Sequence, residues 1–155
     1  MTYEEVVDQI NQIRRFGNLA GVEVAGRMLK ALGSPQAGIP LIHIAGTNGK
    51  GSVSAFLCAI LREAGLRVGM FTSPHLVDFR ERIQINGEMI SKEDTQRIGV
   101  QLLAMDFGVQ PTMFDVTLVM AILYFKERGC DVMILETGLG GRLDSTNAVG
   151  VPDVT

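Results

Sequence analysis

The stretch that decides the fold runs from Pro40 to Ser52 and has the sequence PLIHIAGTNGKGS. Its apolar beginning has the length and composition of a buried strand, so we predict a β-strand from Leu41 to Ala45. A segment with three glycines, one lysine and a closing serine follows. After it, apolar residues recur at helical spacing and predict a helix whose inward face consists of Val53, Phe56, Leu57, Ile60 and Leu61.

This order of strand, glycine-rich turn, lysine, hydroxyl and helix is typical of sites that hold the phosphates of a nucleotide. Glycines let main-chain N–H groups converge on an anion, and the next helix begins with unpaired N–H groups and a partial positive charge. Lys50 adds a full charge for the β and γ phosphates, and the Ser52 hydroxyl is a ligand for Mg²⁺. The generic pattern GxxxxGK[ST] is not met, because a third glycine separates the lysine from the serine. A turn that merely joins strand and helix is the alternative.

Composition and charge exclude several classes of protein. The 155 residues are enough for one domain with a hydrophobic core, and a net charge of -3 gives no basic surface for nucleic acid. The chain begins without a signal peptide and holds no apolar run that would span a bilayer, so we expect a cytoplasmic protein with no membrane partner. Cys58 and Cys130 lack CxxC spacing and neighbouring histidines, which predicts buried free thiols.

The rest of the chain alternates between helix and strand patterns. Helices are predicted from Tyr3, Val22, Ser91 and about Thr112, and further strands from Arg67 to Phe71 and from Val132 to Leu135. About twenty residues separate the first two strands, which is the length of a parallel β-α-β crossover. Asn86-Gly87 predicts a hairpin, which we expect outside the main sheet. The fold class is therefore an α/β three-layer domain, P-loop NTPase-like, with a mainly parallel sheet that is incomplete at three core strands.

Three segments follow predicted strands and should meet at one edge of the sheet, GTNGKGS, TSPH and ETGLGG. Mg²⁺ prefers hard oxygen ligands, and the candidates at this edge are Ser52, Ser73 and Glu136. Glu136 is the only carboxylate in the apolar run VMILETGLGG, where a charge is costly unless a cation meets it. A helix cap or a salt bridge with Arg142 is the alternative role for this glutamate.

Other polar residues near these segments have two interpretations each. His75 follows the TSP turn and could touch substrate or phosphate, or be an ordinary polar loop residue. His43 lies within the first strand, which favours a hydrogen-bonded structural histidine. The charged run from Asp78 to Arg82 is more typical of a solvated face, although Arg82 could reach an acidic substrate.

Three motifs together, HIAGTNGKGSV, GMFTSPHLVDFRERIQING and VMILETGLGGRLDSTN, closely resemble the folylpolyglutamate synthase/dihydrofolate synthase family of the Mur ligase superfamily. The resemblance implies an ATP-dependent ligase that phosphorylates a substrate carboxylate, after which the amine of L-glutamate displaces phosphate. It implies ATP and Mg²⁺ as cofactors and folate or dihydropteroate, L-glutamate and ATP as partners. It also implies a monomer as the full-length protein.

The resemblance assigns roles to matching positions. The phosphate loop comprises Thr47, Asn48, Gly49, Lys50, Gly51 and Ser52. Lys50 and Glu136 would be catalytic, Ser73 and Glu136 would bind Mg²⁺ with Ser52, and the substrate region would include His75, Arg82, Phe114 and Ser145. Helix packing is an equal alternative for Phe114. The family commonly has Glu where Asp115 stands and often Ala where Ser145 stands, which bears on substrate preference.

Length is the larger departure from the resembled family, whose members have two domains. Residues 1–155 are interpreted as the N-terminal portion of the ATP-binding ligase domain, with the C-terminal glutamate-ligase domain absent. The hypothesis is that this portion keeps a phosphate loop and is inactive alone. Another Mur-type amino-acid ligase and a non-catalytic nucleotide-binding fragment are the alternatives.

Overall fold

The computed structural model of the chain describes residues 1–14, 19–138 and 144–155. In chain order the elements are α1 (Tyr3–Gln12), α2 (Gly21–Ala31), β1 (Leu41–Ile44), α3 (Lys50–Glu63), β2 (Val68–Phe71), β3 (Ile83–Ile85), β4 (Glu88–Met89), α4 (Lys92–Ala104), α5 (Met113–Glu127) and β5 (Val132–Glu136). Two 3-10 helices, η1 (Phe79–Arg82) and η2 (Ser145–Val149), complete the set. The helices and strands predicted from the sequence are confirmed in kind and position, within a residue or two at their ends.

The sheet has the strand order β1-β5-β2-β3-β4. β1 and β2 both pair in parallel with β5, which lies between them, so the three strands that the sequence predicts as the core end at the same edge. The predicted hairpin turn is confirmed, with Asn86 at φ 50° and Gly87 at φ 82°. Its expected place outside the main sheet is wrong, because β3 pairs antiparallel with β2. The Asn86 side chain strengthens this pairing by accepting a hydrogen bond of 2.9 Å from the Val68 N–H.

Helices cover both faces of the sheet and give the predicted three layers. On one face α1, α2, α4 and α5 enclose the larger core, which includes Ile10, Met28, Ile98 and Phe125. On the other face α3 packs alone over a smaller cluster. That cluster consists of Ile44, Cys58, Val68, Met70, Val132 and Ile134. Cys58 and Cys130 are buried and free, as predicted.

The predicted inward face of α3 is wrong. Val53, Phe56 and Ile60 are 46%, 70% and 63% exposed, whereas Ser54 and Cys58 are buried toward the sheet. Burial of Ser54 is possible because its hydroxyl donates a hydrogen bond of 2.8 Å to the Lys50 carbonyl. Only Leu57 and Leu61 of the predicted set pack, partly buried, against the small cluster.

None of the described helices is long and apolar enough to cross a membrane.

Candidate functional site

The glycine-rich loop connects the end of β1 to the start of α3 and leaves its main-chain donors accessible. Gly49 is the N-cap of α3 in the left-handed region, at φ 78°, a conformation that costs glycine nothing. As a glycine, this N-cap residue supplies no side-chain hydrogen bond, and the first turn of α3 carries no acidic residue. By contrast, Thr2, Ser91 and Thr112 cap α1, α4 and α5 with their side-chain oxygens. The first N–H groups of α3 are thus available to an anion.

Lys50 directs its side chain across the carboxyl end of β5. Its Nζ donates a hydrogen bond of 3.2 Å to the main-chain oxygen of Thr137. Burial raises the pKa of Glu136, the residue that precedes Thr137, and the positive charge of Lys50 opposes this rise. A pocket of about 220 Å³ opens beside the lysine, and its lining includes His43, Asn48, Gly49 and Thr155.

Glu136 is buried with one oxygen left unpaired. The residue is 4% exposed, and its Oε2 has no hydrogen-bond partner in the described part of the chain. Burial raises the pKa of its carboxyl group, against the opposing effects of the Lys50 charge and of a hydrogen bond from the Ser73 main chain. Three predicted site residues, Lys50, Ser73 and Glu136, therefore meet at one place. The neighbouring Thr137 Oγ1 is also buried, and none of the described residues provides it with a hydrogen-bond partner.

These orphaned oxygens suit a hard cation. Among the described residues, no group of three or more His, Cys, Asp or Glu side chains could hold a metal ion. A cation here would therefore combine one carboxylate with hydroxyl oxygens and water, a set that Mg²⁺ accepts. Ser52 lies exposed on the first turn of α3, and Ser73 lies half-buried after β2.

His75 and Arg82 form a hydrogen-bonded pair beside the segment that follows β2. The Arg82 Nε donates to His75 Nδ1 over 2.7 Å, so the neutral imidazole carries its proton on Nε2. Burial, followed by the Arg82 charge, lowers the pKa of His75. Arg82 is only 8% exposed.

The interpretation of residues 78–82 as a solvated face is therefore wrong. The Glu81 carboxylate accepts hydrogen bonds from the N–H groups of Leu76, Val77 and Asp78, at distances of 2.7–3.0 Å. Asp78 pairs with Arg80 at 2.8 Å. The charges of this run hold the loop together because each one satisfies a local donor or acceptor.

The Phe114 ring lies against the segment that follows β5. It packs edge-on to Phe71 at a centroid distance of 5.4 Å. A Cβ atom added to Gly138 would come within 2.6 Å of the Phe114 ring, so the absence of a side chain there permits the contact. Phe114 thus links the ends of β2 and β5, next to Ser73 and Glu136.

Ser145 lies inside the protein, at 5% exposure, and donates a hydrogen bond of 2.5 Å to Asp115 Oδ1. The two positions at which the sequence departs from the resembled family pattern are therefore bonded to each other. Sequence reasoning did not predict this pair, because its members lie on separate elements and no local spacing connects them.

The predicted hydrogen bonding of His43 is confirmed, and the residue also lines the pocket beside Lys50. Its Nε2 lies 2.7 Å from Thr146 Oγ1, which in turn donates to Asp144 Oδ2 at 2.6 Å. Asp144 also accepts the N–H of Gly138 at 3.0 Å. The role of Asp144 was not predicted, although an Asp before Ser-Thr is a known helix-cap signal. Arg142, and with it the alternative salt bridge of Glu136, lies outside the described residues.

Comparison with known proteins gives a consistent picture. No family model matches the chain. The dihydrofolate synthase/folylpolyglutamate synthase of Bacillus subtilis is 43% identical over 155 residues, which cover 95% of this chain and 36% of that protein. The chain spans between 18% and 36% of the length of the first curated relatives that it matches.

Solved structures agree with the sequence relatives. The folylpolyglutamate synthase of Thermotoga maritima superposes with a TM-score of 0.86 at 42% identity, covering 97% of this chain and 36% of that one. The bifunctional folylpolyglutamate synthase/dihydrofolate synthase of Yersinia pestis, complexed with AMPPNP and a Mn ion, superposes with a TM-score of 0.86 at 33% identity, covering 99% and 37%. Over the part that it shares with these proteins, the chain belongs to the folylpolyglutamate synthase/dihydrofolate synthase family.

Proposed function

We propose that this chain forms the ATP- and metal-binding part of a ligase that joins L-glutamate to the carboxylate of a folate, and to dihydropteroate where that is the acceptor. The observation that carries the proposal is that Lys50, at the start of α3, is hydrogen-bonded to Thr137, whose neighbour Glu136 has a buried carboxylate oxygen without a partner among the described residues. Positive charge, free main-chain donors and an orphaned hard oxygen are the components that a triphosphate with its cation requires.

The ligase reaction transfers the γ-phosphoryl group of ATP to the substrate carboxylate. The bond between the bridging oxygen and the γ-phosphorus breaks, an acyl phosphate forms and ADP leaves. The glutamate amine then attacks the acyl carbon, and inorganic phosphate leaves as the amide forms. Lys50 and the first N–H groups of α3 neutralise charge on the phosphate oxygens as the γ-phosphoryl group moves, which is the main task in phosphoryl transfer.

Glu136, Ser73 and Ser52 are the residues that would hold the divalent cation. When bound, the ion would screen the negative charge of the β- and γ-phosphates. The raised pKa of Glu136 fits this role, since burial disfavours the ionised carboxylate until a cation compensates its charge. The AMPPNP and Mn ion in the Yersinia pestis relative support the same pairing of nucleotide and metal.

Substrate recognition is proposed for the Phe114 side of the site and for the His75–Arg82 pair. With its proton on Nε2, His75 would offer a neutral donor to a substrate oxygen, while Arg82 orients the ring. The names of the relatives support a folate or dihydropteroate substrate and argue against a muramyl substrate. A monomeric state and a cytoplasmic location stay predictions.

Titration calorimetry with AMPPNP tests the nucleotide part of the proposal. The chain is expected to bind AMPPNP in the presence of Mg²⁺ or Mn²⁺ and much more weakly with excess EDTA. Absence of binding, or binding that ignores the metal, would contradict the proposal.

Transfer of labelled L-glutamate to tetrahydrofolate or dihydropteroate tests the ligase part. The proposal expects the chain to bind nucleotide, and it expects complete transfer only from a ligase that supplies the glutamate-binding half. Nucleotide binding with no contribution to transfer, even when the remaining part of the Bacillus subtilis relative is supplied, would favour a non-catalytic nucleotide-binding module.

A further inference from the structure

The N-terminus of α5 and the start of η2 are joined by a buried carboxylate. Asp115 is 0% exposed, and its two oxygens serve different elements. Oδ2 accepts hydrogen bonds from the N–H and hydroxyl of Thr112, at 2.8 and 2.9 Å, and so caps its own helix. Oδ1 accepts a hydrogen bond of 2.5 Å from the hydroxyl of Ser145, which is the first residue of η2.

The Ser145 hydroxyl is buried close against the start of α2. A Cβ atom added to Gly21, the first residue of α2, would lie 2.2 Å from Ser145 Oγ. Gly21 therefore gives Ser145 the space that it occupies, and the hydroxyl is confined between α2 and Asp115. Three elements, α2, α5 and η2, meet at this one hydrogen bond.

The junction lies next to the proposed ligase site. Phe114 immediately precedes Asp115, and its ring rests on Gly138, two residues beyond Glu136. On the other side of the pair, Asp144 precedes Ser145 and accepts the N–H of the same Gly138. The two halves of the pair thus hold Gly138 from both sides.

We propose that Asp115 and Ser145 act as a positioning pair, whose hydrogen bond fixes the Phe114 ring and Asp144 around Gly138 and so sets the wall of the site beside Glu136. Since this wall is part of the proposed ligase site, the inference rests on the proposed function. The two residues are coupled by their volumes as well as by this hydrogen bond. A longer carboxylate at position 115 would need the space of the Ser145 hydroxyl, and a smaller residue at 145 would leave Oδ1 unpaired in the interior.

Native-state hydrogen exchange by NMR tests the inference on the whole chain. Ser145→Ala and Asp115→Glu are each expected to speed exchange of the Thr112 and Gly138 N–H groups about ten-fold or more, because a buried acceptor is left unpaired or the junction is overpacked. The double variant D115E/S145A is expected to exchange at least about three-fold more slowly at both positions than Asp115→Glu. The lost hydroxyl relieves the overpacking, and glutamate at this position still reaches back to cap Thr112.

Ser91→Ala is the matched control. Ser91 donates to Asp94 at 3.0 Å at the start of α4, so the variant loses the same kind of hydrogen bond away from the site. It should speed exchange of the Asp94 N–H and leave Gly138 unchanged. Three results would each overturn the proposal. They are uniform acceleration of exchange at all amides in Ser145→Ala, an unchanged exchange rate of the Gly138 N–H in that variant, and a double variant that exchanges as fast as Asp115→Glu.

AMPPNP binding, measured in parallel, separates this inference from the proposed function. The variants at 115 and 145 should keep the dissociation constant within about three-fold of the wild type, because Lys50 and the start of α3 are untouched. Absence of nucleotide binding in the wild type would contradict the proposed function. The exchange rates would still test whether Asp115 and Ser145 position Phe114 and Asp144 around Gly138. Loss of AMPPNP binding in the variants but not in the wild type would contradict the proposal that the pair positions only the wall beside Glu136.

Discussion

Lys50 Nζ lies 3.2 Å from the main-chain oxygen of Thr137, so the glycine-rich loop after β1 is hydrogen-bonded to the end of β5. An ammonium group has three donors, and this bond uses one of them. The lysine is therefore held at the mouth of the sheet with donors left for phosphate oxygens. The same geometry keeps its charge close enough to Glu136 to oppose the rise in pKa that burial causes in that carboxyl.

Glu136→Gln is expected to abolish the metal dependence of nucleotide binding and to stabilise the free protein. Burial outweighs the help from Lys50, so the ionised carboxylate is unfavourable in the folded state, and its removal should raise the free energy of unfolding by about 0.5–2 kcal/mol. Urea denaturation and AMPPNP calorimetry measure the two effects. A destabilised variant that still binds metal-nucleotide would show that Glu136 is structural. Glu63→Gln, at the exposed end of α3, is the matched control for the loss of one carboxylate.

The stability difference between Glu136→Gln and the wild type should depend on pH. A carboxyl group whose pKa is raised by folding opposes folding only when it is ionised. The unfavourable contribution of Glu136 is therefore absent below its ordinary value of 4.5 and grows as the pH rises through the raised folded value. Thermal midpoints of both proteins across this range should converge at low pH and separate toward neutrality. A constant gap would contradict the buried, ionised state of Glu136.

Gly69→Ala is expected to destabilise the protein because β2 lies directly on α5. A Cβ atom at this position would come within 2.6 Å of the buried Phe125 ring, and overpacking of this kind costs about 1–3 kcal/mol. Gly26→Ala is the control, since its Cβ would meet only Ala148 at 3.9 Å and alanine favours the helix by up to about 1 kcal/mol. In urea denaturation, Gly69→Ala is predicted to lower the free energy of unfolding and Gly26→Ala to raise it. Equal effects would mean that β2 and α5 are packed differently.

Phe56→Ala is expected to change the free energy of unfolding by less than about 0.5 kcal/mol, because the ring is 70% exposed. Phe125→Ala, at a fully buried position, should cost about 3–5 kcal/mol. The same urea experiment measures both variants. Comparable losses of unfolding free energy in the two variants would mean that Phe56 is buried, as the sequence pattern predicts for α3.

Local patterns predicted the elements well because their signals are local. The helix start at Ser91 and the Asn86-Gly87 turn each depend on a backbone conformation within a few residues, and both are present. The partner of a strand is not a local property, which is why the pairing of β3 with β2 was missed. Periodicity also failed to predict which face of α3 is buried. It identifies a stripe of apolar residues but does not show whether small residues on another face, such as Ser54 and Cys58, pack closer to the sheet.

The candidate site was predictable where a topological rule applies. Parallel strands end at a common edge, and this rule alone brings Lys50, Ser73 and Glu136 together. The link between Asp115 and Ser145 follows from no such rule, because it joins residues 30 positions apart. The partner of His75 was hidden for a similar reason, since Arg82 looked like one member of an exposed charged run.

Titration of AMPPNP with Mg²⁺ into Lys50→Ala, beside Lys30→Ala as an exposed lysine of equal charge, tests the central claim most directly. Lys50→Ala should raise the dissociation constant at least about ten-fold, because hydrogen bonds to charged groups contribute about 1.5–3 kcal/mol. Lys30→Ala should leave it within about two-fold. Equal affinity of the two variants would contradict the phosphate loop.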